Sequence, residues 1–97
     1  MAMVISKRQL QGGDFDAWAS RFAEGAAARR AAGCRGLRRF RSTEDPNQVF
    51  VIFDWDSHEN ARRFIENNQQ AIRARDPGAP APDIQTWYVD EIDALDA

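Results

Sequence analysis

The stretch Gln48-Val49-Phe50-Val51-Ile52-Phe53-Asp54-Trp55, followed at once by Asp56-Ser57-His58-Glu59, decides the fold. Val49 through Phe53 are apolar without a break. Successive side chains of a strand point to opposite faces. Val49, Val51, Phe53 and Trp55 therefore share one face, and Phe50 and Ile52 share the other. Both faces need cover from water. Asp56 or Ser57 suits the N-cap of a following helix, with Glu59 in its positive first turn. That helix presents Ala61, Phe64, Ile65 and Ile72 at helical spacing, with Asn68 on the same face, and Asp76-Pro77 ends it.

Upstream, Cys34 to Ser42 reads as a weaker strand with Leu37 and Phe40 on opposite faces. Its arginines suit a sheet edge, where charge discourages unwanted pairing. Thr43-Glu44-Asp45-Pro46-Asn47 supplies the turn into the apolar strand. Further upstream, Asp14 is a candidate N-cap for a helix that places Phe15, Trp18, Ala19, Phe22, Ala23, Ala26 and Ala27 on one face. Arg29 and Arg30 suit its negative end, and Gly33 its stop. Met3 to Leu10 reads as a first strand, broken by Gln11-Gly12-Gly13. Downstream, Asp76 to Pro82 is a proline-rich loop, expected to be mobile and to border a pocket. Ile84 to Ile92 reads as a fourth strand, with Ile84, Thr86 and Tyr88 on one face and Gln85, Trp87 and Val89 on the other.

The order strand, helix, strand, strand, helix, strand, with two right-handed crossovers, predicts an α+β fold: a ferredoxin-like βαββαβ sandwich, one domain over residues 1–97. Both helices fall on one face of the sheet. Two helices cannot also cover the second face, so a second copy of the chain is expected there, making a homodimer.

Six Phe and three Trp in 97 residues are a large aromatic content, at about 150–250 Å² of buried surface per ring. They imply a core extended by an interface or a ligand cavity. A net charge of -2 gives no strong field for nucleic acid or an anionic membrane. Arg29, Arg30, Arg35, Arg38, Arg39 and Arg41 crowd the middle, and Asp90, Glu91, Asp93 and Asp96 the end. They either pair, within a subunit or across a dimer, or form two solvated edges. Cys34 is the only cysteine, which excludes an intrachain disulfide and a cysteine zinc cluster, and a small buried thiol is expected. No apolar run reaches signal-peptide or membrane-spanning length, so the expected location is cytoplasmic. Kinase, hydrolase and DNA-binding classes lack their glycine-rich loop, Ser-His-Asp set and basic stripe.

Trp55, Trp87 and Tyr88 each read as a pocket wall or as core. Asn68, on an apolar helix face, needs a partner, a water or a ligand unless it sits at the face's edge, because a buried unpaired amide costs about 1–3 kcal/mol. His58 is either a general base for a phenol or an exposed first-turn side chain. No second His or Cys stands at ligand spacing, so no metal site is expected. Arg38, or Arg8 in the first strand, either holds a phenolate, enolate or carboxylate, or lies on a solvated edge.

This order, with Gly33 and Gly36 before the second strand, the Thr-Glu-Asp-Pro-Asn turn and Phe-Asp-Trp-Asp-Ser leading into the second helix, resembles the antibiotic biosynthesis monooxygenase (ABM) family of dimeric α/β barrels. Trp55-Asp56-Ser57 stands where relatives carry Trp-Glu-Ser or Trp-Asn-Ser. The resemblance implies a homodimer with a pocket between each sheet and its helices. It also implies a cofactor-independent monooxygenase acting on a flat aromatic or polyketide-like metabolite. A polyketide cyclase on the same fold and a non-catalytic small-molecule-binding or structural module are the alternatives. The candidate pocket residues are Trp55, Asn68, Arg38, Trp87, Phe64 and Phe22. The polyketide oxygenases of the family place an asparagine four residues before the tryptophan and a tyrosine six after it, where this chain has Val51 and Ala61. Haem-degrading relatives need a first-strand asparagine, a helix tryptophan and a histidine. Here those places hold Ser6, a residue near Phe64, and Gln69-Gln70-Ala71-Ile72-Arg73, so no haem cofactor is expected.

Overall fold

A computed structural model of the chain describes residues 2–12, 14–78 and 83–97. The chain order is β1 (Ala2–Gln9), α1 (Phe15–Glu24), α2 (Ala26–Ala32), β2 (Cys34–Arg41), β3 (Gln48–Trp55), α3 (His58–Arg75) and β4 (Ile84–Val89). The strands form one sheet in the order β2-β3-β1-β4, all neighbours antiparallel. This is the α+β sandwich expected, with the apolar β3 inside the sheet and the arginine-rich β2 at its edge.

The register sorts the side chains into cross-strand rows. The helix-covered face carries Tyr88–Val4–Phe53–Leu37, then Thr86–Ser6–Val51–Arg39, then Ile84–Arg8–Val49–Arg41. The open face carries Val89–Met3–Asp54–Gly36, Trp87–Ile5–Ile52–Arg38 and Gln85–Lys7–Phe50–Phe40. Val49, Val51 and Trp55 are buried on the helix side, as the alternation requires. The core comes in two clusters. One joins Val4, Cys34, Trp55 and Ala61, beneath the start of α3. The other joins Leu10, Trp18, Val49 and Val51, beneath α1. Phe53 packs against both.

The sequence spacing predicts one helix from Asp14 to Gly33, but two are found, separated at Gly25. Glycine is a weak helix former, and here it has a packing role. A Cβ at Gly25 would stand 2.9 Å from Arg29 Nη1. That guanidinium folds back to lie 4.1 Å over the Phe22 ring. Ala23 and Ala27 are consequently exposed rather than part of the buried face. Asp14 precedes α1 but its side chain makes no cap bond. The Ser57 hydroxyl does cap α3, accepting from Asn60 N–H at 3.1 Å. β4 ends at Val89 rather than Ile92. Pairing with β1 stops at Met3↔Val89, and Asp90–Ala97 is exposed. Of the Asp76–Pro82 loop, residues 79–82 lie outside the described residues.

The turn from α2 into β2 is the tightest junction. Gly33 adopts φ 120°, a left-handed value that other residues avoid. A Cβ there would overlap the Asp56 carboxylate. The Gly33 carbonyl accepts from Asp56 N–H at 3.0 Å, and Asn60 Nδ2 donates to both carboxylate oxygens at 3.0 and 3.2 Å. Gly33→Ala is expected to lower stability by about 1–3 kcal/mol in urea unfolding. Gly36→Ala, where a Cβ meets nothing within 4 Å, is the comparison and should cost no more than about 0.5 kcal/mol. Equal effects would remove the constraint assigned to Gly33.

Candidate functional site

The two core clusters leave one corner of the helix-side face thinly covered. Ser6 and Arg8 of β1 and Ile84 and Thr86 of β4 lie there, on the helix side yet only half-buried. The reason is visible in α3. Its first half packs on the sheet through Ala61, Phe64 and Ile65, whereas residues 66–75 are all exposed. The result is a shallow polar patch, or recess, of half-buried side chains under thin cover: two hydroxyls and a guanidinium.

Arg8 is its most informative member. Burial pushes the Arg8 pKa below the ordinary arginine value, and the like charge of Arg21 on α1 pushes it further. Among the described residues it makes no ion pair. A guanidinium does not shed its proton at neutral pH, so Arg8 stays a partly desolvated cation without a counter-ion. Tyr88, one row above Thr86, has its phenol pushed up, chiefly by burial, with Arg62 opposing and Glu66 adding. The Arg62 guanidinium lies 4.2 Å over the Tyr88 ring. Tyr88 therefore stays protonated and able to donate.

A concavity of about 370 Å³ lies elsewhere, between α1, α2 and the edge strand β2. Phe22 and Leu37 line it, together with four arginines. Trp55 does not.

The six residues singled out from sequence do not converge. Trp55 is 1% exposed, packed on Phe64 at a ring separation of 5.6 Å. Its indole N–H is buried without a hydrogen-bond partner among the described residues. Phe22 stands 5.4 Å from Trp18 and 6.0 Å from Phe53, in the other cluster. Asn68 is on the exposed half of α3. Trp87, 45% exposed, and Arg38 lie in one row of the open face. Arg38 is there because the register shifts between Cys34 and Gly36, a bulge that moves Leu37, Arg39 and Arg41 to the helix side. Ser6 and Thr86 are readable as sharing a face with Arg8 only once β1 and β4 are known to be neighbours.

His58 departs from the exposed side chain expected. It is half-buried, and its Nε2–H donates to the Val89 carbonyl at 3.0 Å, with the Asp90 carboxylate 3.7 Å away. It ties the end of β4 to the start of α3. It is the only histidine in the chain, so the recess has no imidazole to ligate a haem iron, and the residues present do not fit that group. Among the described residues no cluster of His, Cys, Asp or Glu could hold a metal ion, and no helix is long and apolar enough to cross a membrane.

Residues 1–78 match the profile of a family described as antibiotic biosynthesis monooxygenase, ABM. The chain belongs to that family. Solved structures agree on the fold. A single-site mutant of SnoaB from Streptomyces nogalater, described as a cofactor-independent oxygenase, is 18% identical, with TM-score 0.71, covering 99% of this chain and 97% of that one. An ABM protein from Bordetella bronchiseptica, 21% identical, gives TM-score 0.72 over 94% and 96%. A single-site mutant of MhuD, solved with two manganese protoporphyrin IX molecules per active site, is 18% identical, with TM-score 0.70 over 100% of both chains. No curated protein matches the chain.

Within this ABM domain the Trp55-Asp56-Ser57 tripeptide has a structural account. Trp55 anchors a core cluster, Asp56 binds Asn60 beside Gly33, and Ser57 caps α3. Trp55→Ala should therefore cost about 3–5 kcal/mol in urea unfolding. Trp55→Phe keeps most of the ring and removes the unpartnered N–H, whose burial costs about 1–3 kcal/mol, so its loss should be well under half as large. A Trp55→Ala protein as stable as the parent would exclude this anchoring role.

Proposed function

We propose that the chain is a small homodimeric ABM protein whose helix-side recess binds a flat, electron-rich phenol or polyketide-like metabolite as its anion and oxygenates it without a cofactor. The observation that carries this reading is Arg8, a half-buried cation with no counter-ion among the described residues, one cross-strand row from the Ser6 and Thr86 hydroxyls on the helix-covered face. A cation placed there favours the phenolate or enolate over its neutral acid. The anion then gives an electron to dioxygen, and the radical pair recombines at the substrate carbon. An anthrone CH2 leaves as a carbonyl, the second oxygen atom as water, so the substrate supplies all the electrons. The protein orients the ring and stabilises the anion.

The test is an oxygen-electrode assay with anthrone, paired with absorbance of the quinone. One O2 should disappear per quinone formed. Arg8→Met should lower kcat/KM by about tenfold or more, because it removes charge stabilisation of roughly 1.4 kcal/mol or more. The same change removes a desolvated cation. After allowance for solvent screening it should leave stability unchanged or raise it by up to about 1 kcal/mol. Ring closure of a polyketide-like substrate without O2 uptake would identify a cyclase. Binding without turnover would identify a non-catalytic module, a reading favoured by the full packing of Trp55 into the core.

The dimer reading rests on the open face. Met3, Ile5, Phe40, Phe50, Ile52, Trp87 and Val89 form one apolar surface across all the strands, with Phe40 and Trp87 over 40% exposed. Ile52 is at its centre. Ile52→Asp leaves the helix-side core untouched and should convert a dimer to a monomer, read by sedimentation velocity at micromolar concentration. A wild-type monomer under those conditions would end the dimer reading.

A further inference from the structure

The groove between α1, α2 and β2 has no part in the chemistry above. Its volume, about 370 Å³, is that of a small-molecule site. Its floor is Phe22 and Leu37, and its walls are Arg29, Arg30, Arg35 and Arg39. Among the described residues no Asp or Glu lines it. Among the described residues none of the four arginines has a carboxylate within 4.0 Å. The chain carries 15 acidic residues and a net charge of -2, so this separation of charge is local.

Two of the guanidiniums are also held in place. Arg29 lies 4.1 Å over the Phe22 ring, and Arg39 lies 5.5 Å over that ring and 5.6 Å over Trp18. Arg39 Nη1 donates to the Ala19 carbonyl at 3.1 Å. A guanidinium has five N–H donors, so stacking leaves its N–H edge available, and Arg39 uses one. Burial lowers the Arg29 pKa, with Cys34 opposing and Arg39 and Arg30 adding to the shift. The negative end of α2 offsets part of the charge of Arg29 and Arg30, but those carbonyls already accept from Gly33. Arg35 and Arg39 have no such compensation. Four cations in one groove repel one another unless an anion joins them. The apolar floor selects an anion with a flat hydrophobic body.

We propose that this groove is a second binding site, taking an aryl dianion: a phosphate or dicarboxylate carried on an aromatic ring. The ring lies on Phe22 and Leu37, and the oxyanion takes paired N–H bonds from the arginines. The site is independent of the oxygenase reading, since the recess at Arg8 lies over β1 and β4 whereas the groove lies over β2.

Calorimetric titration of the full chain with phenyl phosphate, phthalate and inorganic phosphate tests it. At low ionic strength, phenyl phosphate or phthalate should bind about tenfold or more tightly than inorganic phosphate. Which of the two binds better distinguishes a phosphate from a carboxylate ligand. Arg30→Gln with Arg35→Gln, both exposed positions, should weaken that binding about tenfold or more. Arg73→Gln with Arg75→Gln, the same charge change at the end of α3, should alter it by less than about twofold, as should Arg8→Met. Four results would overturn the proposal. They are no saturable binding of either aryl dianion below about 10 mM, inorganic phosphate binding as tightly, equal loss in both double variants, or a loss that follows Arg8.

Discussion

The contact of the Gly33 backbone with the Asp56 carboxylate sets the geometry on which the other elements depend. It holds the end of α2 against the β3–α3 junction, and the flanking residues Cys34 and Trp55 fall directly into the core. With that corner closed, α3 starts over Val4 and Trp55, and α1 is left to cover Val49 and Val51. The thin cover over Ser6, Arg8, Ile84 and Thr86 follows from the same arrangement. A helix anchored at its first turn over one end of the sheet passes the other end with its second half exposed. Fold and recess thus share one cause.

The arginines of the middle segment show how a local charge run acquires a tertiary role. Among the described residues of one subunit none of them pairs with the acidic end of the chain, and several do more than edge the sheet. Arg29 and Arg39 stack on Phe22, and the Arg41 guanidinium lies 4.0 Å over Phe15 while its Nε–H donates to the Pro46 carbonyl at 2.8 Å. The aromatic face of α1 is thereby screened from water laterally by guanidinium planes rather than by another apolar element. Such stacking is worth about 0.5–1 kcal/mol at exposed positions, and it also fixes where the N–H groups point.

Much of this is legible in the sequence. The uninterrupted Val49–Phe53 run locates β3, its sidedness and its place inside the sheet. Ser57 and Gly33 mark helix boundaries through chemistry that acts over three or four residues. The layering follows from element order, and the family resemblance from that order together with the Trp55-Asp56-Ser57 junction. What escapes depends on distances between elements. Helical periodicity puts Asn68 in line with Phe64 but does not say how far along α3 the sheet extends. Alternation assigns Arg38 and Arg39 to opposite faces, and the bulge at Cys34/Gly36 decides which is which. The stacking of Arg29 across Gly25 requires a break that a single amphipathic pattern conceals. The recess is half legible, since Arg8 stands beside Arg38 as a candidate, and only strand order singles it out.

The three indoles occupy three optically different surroundings. Trp55 is sealed in one core cluster, Trp18 sits in the other beneath the Arg39 guanidinium, and Trp87 stands half in solvent on the open face. Their emission maxima and quencher access should differ accordingly, with Trp87 the red-shifted, acrylamide-accessible component of a free subunit. Single-tryptophan versions of the chain would thus supply separate fluorescent reporters for the α3 corner, the α1 corner and the open face of the sheet. A protein of this size then carries its own probes for watching which part loosens first.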